Sequence, residues 1–137
     1  MENPLQLFDI TPAQIDRVVA SFYARIRQHS VLGPVFATHI PDDAWPEHEE
    51  KIARFWRNAI LKERSYSGNP MRVHMQTSDV QPAHFEPWLA LFDEVLHTEL
   101  PAETARAFSA LAHRIGRGLR LGLEQVRQPK DAPPILS

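Results

Sequence analysis

The apolar positions of this chain recur mostly at helical spacing. Thr11-Pro12-Ala13-Gln14 makes a helix start, with a Thr cap, Pro at the first position and Gln three residues after the cap. Ile15, Val18, Val19, Phe22 and Ile26 then form one stripe, with Tyr23 on its edge, and the spacing predicts a helix over 12–29. Val31 to Phe36 breaks that helix and has room for one or two short turns. Pro41-Asp42-Asp43 offers caps for a second long helix over 43–63. There Trp45, Ile52, Phe55 and Trp56 share a face, and His48 falls on the same stripe. Pro46 is tolerated because first-turn amides have no intrahelical partner. Ser65 to Pro70 reads as a loop, and Met71 to Gln76 as no more than one or two helical turns.

A third long helix carries Phe85, Trp88, Leu89, Phe92 and Leu96 and ends near Glu99, with Pro87 placing its start near Ala83 or His84. Pro101 opens the last helix, whose stripe of Phe108, Leu111, Ala112, Ile115 and Leu119 fades near Arg127. No segment alternates with the period of a strand. The expected fold class is all-α: one domain over 1–128, with four long helices and a short helical segment between the second and third, then a flexible tail over 129–137.

Composition narrows the function classes. The 137 residues are enough for one domain with one core, and 43% apolar with 23% charged residues is the profile of an ordinary globular domain. A formal charge of −2, with no block of Lys and Arg, argues against a nucleic-acid partner. No run approaches the roughly 18 apolar residues of a membrane span, and the N-terminal MENPLQLFDI lacks the pattern of a secretory signal. Cysteine is absent, which removes disulfides, Cys-ligated zinc, iron–sulfur clusters, thiolate nucleophiles and covalent haem attachment. A cytoplasmic location is the expectation compatible with these features.

The candidate chemistry rests on seven histidines and three tryptophans. His48 has two open readings: a core-edge histidine bonded to a carbonyl or water, or a ring facing a cavity. It is not half of a His-Glu-x-x-His zinc motif, because Ile52 stands where the second histidine would be. No Glu-x-x-His pair recurs on two helices, so a di-iron bundle is unsupported. His29, His39, His97 and His113 read as surface residues. His74, on a short segment after a Gly-Asn-Pro loop, reads either as a helix-end histidine or as a lone metal ligand. A single neutral imidazole among apolar neighbours can hold haem iron from one side. Phe22, Phe36, Ile52, Phe55, Phe85 and Trp88 would then line a slot for the flat cofactor, although each taken singly is also a core position. The Tyr23 hydroxyl and the Trp88 indole N–H are candidate donors to a ligand on the iron.

Several ordered motifs carry a family resemblance: Phe22-Tyr23, Leu32-Gly33-Pro34-Val35-Phe36, Trp45-x-x-His48, Phe55-Trp56, Tyr66-x-Gly68-x-Pro70-x-x-x-His74, and His84-Phe85-x-x-Trp88-Leu89-x-Leu91-Phe92. Together they resemble the third group of truncated haemoglobins, bacterial globins with a shortened two-over-two helical fold. The Gly-Gly pairs of the other two groups are missing.

The resemblance implies a non-covalent haem b with His74 as the proximal iron ligand and His48 as the distal histidine. Tyr23 and Trp88 would be distal hydrogen-bond donors. Phe22, Phe36, Ile52, Phe55, Trp56, Met75 and Phe85 would line the cofactor, and Arg72 is the first candidate for a propionate contact. Pro46 and Pro87 depart from the family pattern, which bears only on where two helices begin. The implied activity is reversible binding of O₂, or of CO and NO, on five-coordinate ferrous iron. The alternative is a haem enzyme that removes NO or reduces peroxide or O₂ with electrons from a separate reductase. A third reading, from another class, is a cofactor-free helical interaction module.

Overall fold

A computed structural model describes residues 6–38, 40–62 and 81–126. His39, the 63–80 segment with Arg72, His74 and Met75, and the expected C-terminal tail lie outside the described residues. Among the described residues the fold is all-α, with five helices: α1 (Pro12–Gln28), α2 (Leu32–Ala37), α3 (Trp45–Leu61), α4 (Phe85–Glu99) and α5 (Ala102–Val126). Short 3-10 turns at Asp42–Ala44 and Pro82–His84 lead into α3 and α4. No described helix is long and apolar enough to cross a membrane.

The start of α1 is the capping box its sequence predicts. Thr11 Oγ1 accepts from the Gln14 N–H at 3.1 Å, and Gln14 Oε1 accepts from the Thr11 N–H at 2.9 Å. At the other end, His29 Nδ1 accepts from the N–H groups of Val31 and Leu32, both at 3.1 Å. This histidine therefore ties the exit of α1 to the entry of α2. Gly33 explains why α2 sits so tightly there. A Cβ at 33 would lie 3.0 Å from the Arg27 carbonyl oxygen and 3.2 Å from that of Ile26, and both are backbone atoms that cannot swing away.

The entry to α3 differs from expectation. Asp42 and Asp43 do not cap the long helix with their side chains; they fall inside the 3-10 turn, closed by Ala44 N–H donating to Pro41 O at 2.9 Å. The turn uses up the residues that would otherwise stand at the cap, so α3 begins at Trp45 with Pro46 in its first turn. The same device precedes α4, where His84 Nδ1 accepts from the Gln81 N–H at 2.9 Å.

The helices pack as two pairs, α1 with α3 and α4 with α5, joined where α1 lies on α4. At that junction the apolar stripes converge on Phe92. Its ring lies 4.8 Å from Phe22 of α1, 5.7 Å from Trp56 of α3, 5.4 Å from Phe108 of α5, and 5.9 Å from Trp88 one turn earlier on α4. All five rings are buried. Aromatic pairs in such edge and stacked geometries contribute about 0.5–1.5 kcal/mol each beyond the area they bury. Tyr23 is not at the edge of its stripe, as the periodicity suggests, but fully inside at 1% exposure.

Phe92→Ala should therefore destabilise the protein by about 3–5 kcal/mol, and Phe92→Leu by less. Urea unfolding midpoints check this, and an unchanged midpoint for the alanine variant would remove Phe92 from the centre of the core.

Candidate functional site

Phe22 and Tyr23 are consecutive on α1, so their side chains point about 100° apart. Phe22 enters the ring cluster. Tyr23 turns toward the start of α3, where its ring lies 5.7 Å from that of Trp45. Burial raises the phenol pKa well above its ordinary value, and the negative charge of Glu49 adds to the effect. Tyr23 is thus a neutral donor throughout the physiological range.

Trp88 meets Phe22, the neighbour of Tyr23, from α4. Its indole meets Phe22 edge-on at 5.5 Å, approaches Phe85 at 6.2 Å and stacks within 3° of parallel on Phe92. The Trp88 Nε1–H is buried and has no hydrogen-bond partner among the described residues. Leaving a buried donor unsatisfied costs about 1–3 kcal/mol, a penalty that core packing alone gives no reason to accept.

His48 does not point fully inward. It is half-buried at the border of α3, while Trp45 three residues earlier is buried. Burial lowers the imidazole pKa below its usual 6.5, and the nearby Lys51 charge lowers it further, against a smaller opposing effect of Glu47. The ring is accordingly neutral at pH 7. One turn on, Ile52 is buried, followed by a half-buried Phe55 whose ring meets Trp56 at 5.2 Å. Phe36 of α2 and Phe85 of α4 are also buried in this core.

The structure thus brings Phe22, Tyr23, Phe55, Trp56, Phe85 and Trp88 into one chain of ring contacts through Phe92 and places Phe36, His48 and Ile52 on the neighbouring helices. The candidate iron ligand His74, with Arg72 and Met75, falls outside the described residues.

Two groupings were not evident from periodicity. Arg27 lies 5.1 Å over the Trp45 ring, with Glu49 one turn beyond Trp45. The signal was available as paired four-residue spacings, Tyr23 to Arg27 and Trp45 to Glu49, but which helix they face is a tertiary fact. His113, expected at the surface, is partly exposed there and engaged in a network. Its Nε2 lies 2.8 Å from Asp93 Oδ2, and Ser109 donates to Asp93 Oδ1 at 2.6 Å. This network ties α5 to α4 away from the tyrosine.

No protein-family model matches the sequence. The crystal structure of group III truncated hemoglobin from Campylobacter jejuni matches with a TM-score of 0.77 at 28% identity, covering 94% of this chain and 100% of that one. In sequence, the chain is 36% identical over 90 residues to the group 3 truncated hemoglobin ctb of Campylobacter jejuni subsp. jejuni, which spans 64% of this chain and 71% of that protein. This chain belongs to the group III truncated haemoglobins.

A truncated haemoglobin implies a haem, and the described residues fit one. A flat apolar cofactor requires an aromatic wall, which Phe22, Phe85 and Trp88 can provide. A polar diatomic ligand requires donors that are buried and uncommitted, and the Trp88 N–H is one among the described residues. His48 on α3, its pKa lowered, stands half-buried as a neutral imidazole at no cost of burying a charge.

The His48 imidazole should titrate below 6.5. Long-range ¹H–¹⁵N correlation spectra across a pH series measure this directly, and a midpoint at or above the free-imidazole value would contradict the burial described here.

Proposed function

We propose that this truncated haemoglobin binds haem b non-covalently through His74 and takes up O₂ reversibly, with Tyr23, Trp88 and His48 as the ligand-stabilising residues. The haem would supply the ferrous iron at which O₂, CO or NO binds. The observation that carries the reading is the buried Trp88 N–H with no partner among the described residues, adjoining the buried phenol of Tyr23 across Phe22.

The protein's part follows from the character of those groups. A diatomic ligand polarised by the haem would present partial negative charge to the Tyr23 hydroxyl and the Trp88 N–H, and these fixed donors would hold it back from escape. Hydrogen bonds to charged acceptors contribute about 1.5–3 kcal/mol, and each 1.4 kcal/mol is about tenfold in affinity. The stacking of Trp88 on Phe92 fixes the direction of the indole N–H before any ligand arrives. Burial of Tyr23 keeps its proton in place and excludes competing water. Phe36, Ile52, Phe55, Trp56, Met75 and Phe85 would line the cofactor, and Arg72 would reach a propionate.

Absorption spectra of the purified protein, oxidised, reduced and with CO, test the cofactor; a colourless protein that takes up no added hemin would overturn the reading. His74→Ala should weaken haem retention and lower thermal stability, because a bound cofactor stabilises only the native state. Stopped-flow O₂ release should be at least about tenfold faster in Tyr23→Phe, and faster in Trp88→Phe as well. Release as slow as wild type in both would remove these donors from the mechanism.

A further inference from the structure

The crossing of α1 and α3 carries a carboxylate for which the helix packing gives no role. Residues four apart on a helix stand above one another. On α1 the row is Tyr23 and Arg27; on α3 it is Trp45 and Glu49. The two rows face each other: the Arg27 guanidinium lies 5.1 Å over the Trp45 ring, and that ring lies 5.7 Å from Tyr23. Glu49 completes the square, close enough for its charge to be felt by both Tyr23 and Arg27.

Glu49 also lines a cleft of about 370 Å³ between the helices, next to Val19, Ala20 and Ala53. The other acids of that cleft are paired. Asp16 bonds Arg57, and Glu50 bonds Arg54 at 2.8 Å and lies 3.7 Å from Arg57. Arg27 is drawn outward, 3.9 Å from Asp42. Among the described residues no hydrogen bond or ion pair engages Glu49, although it is half-buried. A carboxylate taken partly out of water without a bonded partner costs free energy. Its pKa is accordingly raised, by desolvation first and against the opposing charge of Arg27.

We propose that Glu49 is a positioning residue that sets how firmly Tyr23 holds the ligand: ionised, it weakens the phenol as a donor and hastens release; protonated, it lets the phenol hold harder. The sign follows from electrostatics. A negative charge beside the phenol makes its proton less acidic and disfavours negative charge gathering on the ligand beyond it. This inference rests on the haem reading above and adds a regulation to it, so that ligand retention rises as pH falls through the Glu49 midpoint. The titratable and charged groups around Glu49 are Asp16, Tyr23 and Arg27 from α1 and Glu50 and Arg57 on α3, with Asp42 acting through Arg27 and with His48 and Lys51 as neighbours along α3. Of these, His48 is the one whose titration must be separated.

The test uses the ferrous holoprotein with CO, whose C–O stretching frequency reports the electrostatic potential at the ligand, together with stopped-flow O₂ release. Glu49→Gln should lower the C–O frequency and slow O₂ release about two- to tenfold, while Glu49→Asp should stay near wild type. In a His48→Gln background, the wild-type Glu49 should give both readouts a pH midpoint above the ordinary carboxylate range, and Glu49→Gln should abolish it. A CO complex that forms normally but shows the same frequency and release rate with Glu, Asp or Gln at 49 overturns the role of Glu49 and leaves the haem reading standing. Failure of the wild-type protein to form any CO complex overturns the haem reading itself. Should Glu49→Gln not fold, a His48→Gln protein without a midpoint above the carboxylate range overturns the proposal on its own.

Discussion

Four helices meet at one phenylalanine. Phe92 touches a ring from α1, one from α3, one from α5 and a second from its own helix, and each contact is in an edge or stacked geometry with favourable electrostatics. The Phe22–Trp88 and Trp56–Phe108 contacts, at 5.5 and 5.0 Å, bridge the two helix pairs around it. A short chain with a small core depends on such a junction, because few residues lie far enough from water to hold the pairs together.

The site follows from that junction through helix geometry. Trp88 precedes Phe92 by four residues, so whatever seats Phe92 also stacks Trp88 and aims its N–H. Tyr23 follows Phe22 by one, so seating Phe22 in the cluster turns the phenol toward α3. Gly33 and His29 hold α2 against the end of α1, and Phe36 of α2 is buried in the core. Tyr23 and Trp88 are thus positioned by core residues rather than by loops, which would suit the ligand-holding role proposed for them.

The helices were legible in the sequence because their signals are local. Thr11, Pro12 and Gln14 announce α1, and the stripes of α4 and α5 repeat without interruption. The family, too, was legible, since its motifs are ordered single residues around those stripes. The entry to α3 was misread at Asp42 and Asp43 because a 3-10 turn and an Asp-capped helix use the same residues, and only backbone dihedrals separate them. Tyr23 read as an edge residue because its neighbour on α3, Trp45, is distant in sequence. The link from the surface residue His113 to Asp93 was not legible because the two lie on different helices. Nothing in the sequence singles out Glu49; that it alone among the cleft's acids lacks a bonded partner among the described residues depends on where Arg54, Arg57 and Arg27 turn.

The adjacency of Phe22 and Tyr23 has a bearing on how such a protein can change over generations. A substitution that rolled α1 by part of a turn would dislodge one ring from the junction and swing the other away from Trp45, so under the role proposed for Tyr23 durability and gas retention would drift together. Descendants that needed a different retention time would find little freedom at either position. Variation would instead accumulate at the helix borders, among side chains such as His48 and Glu49 that reach inward from half-wet ground.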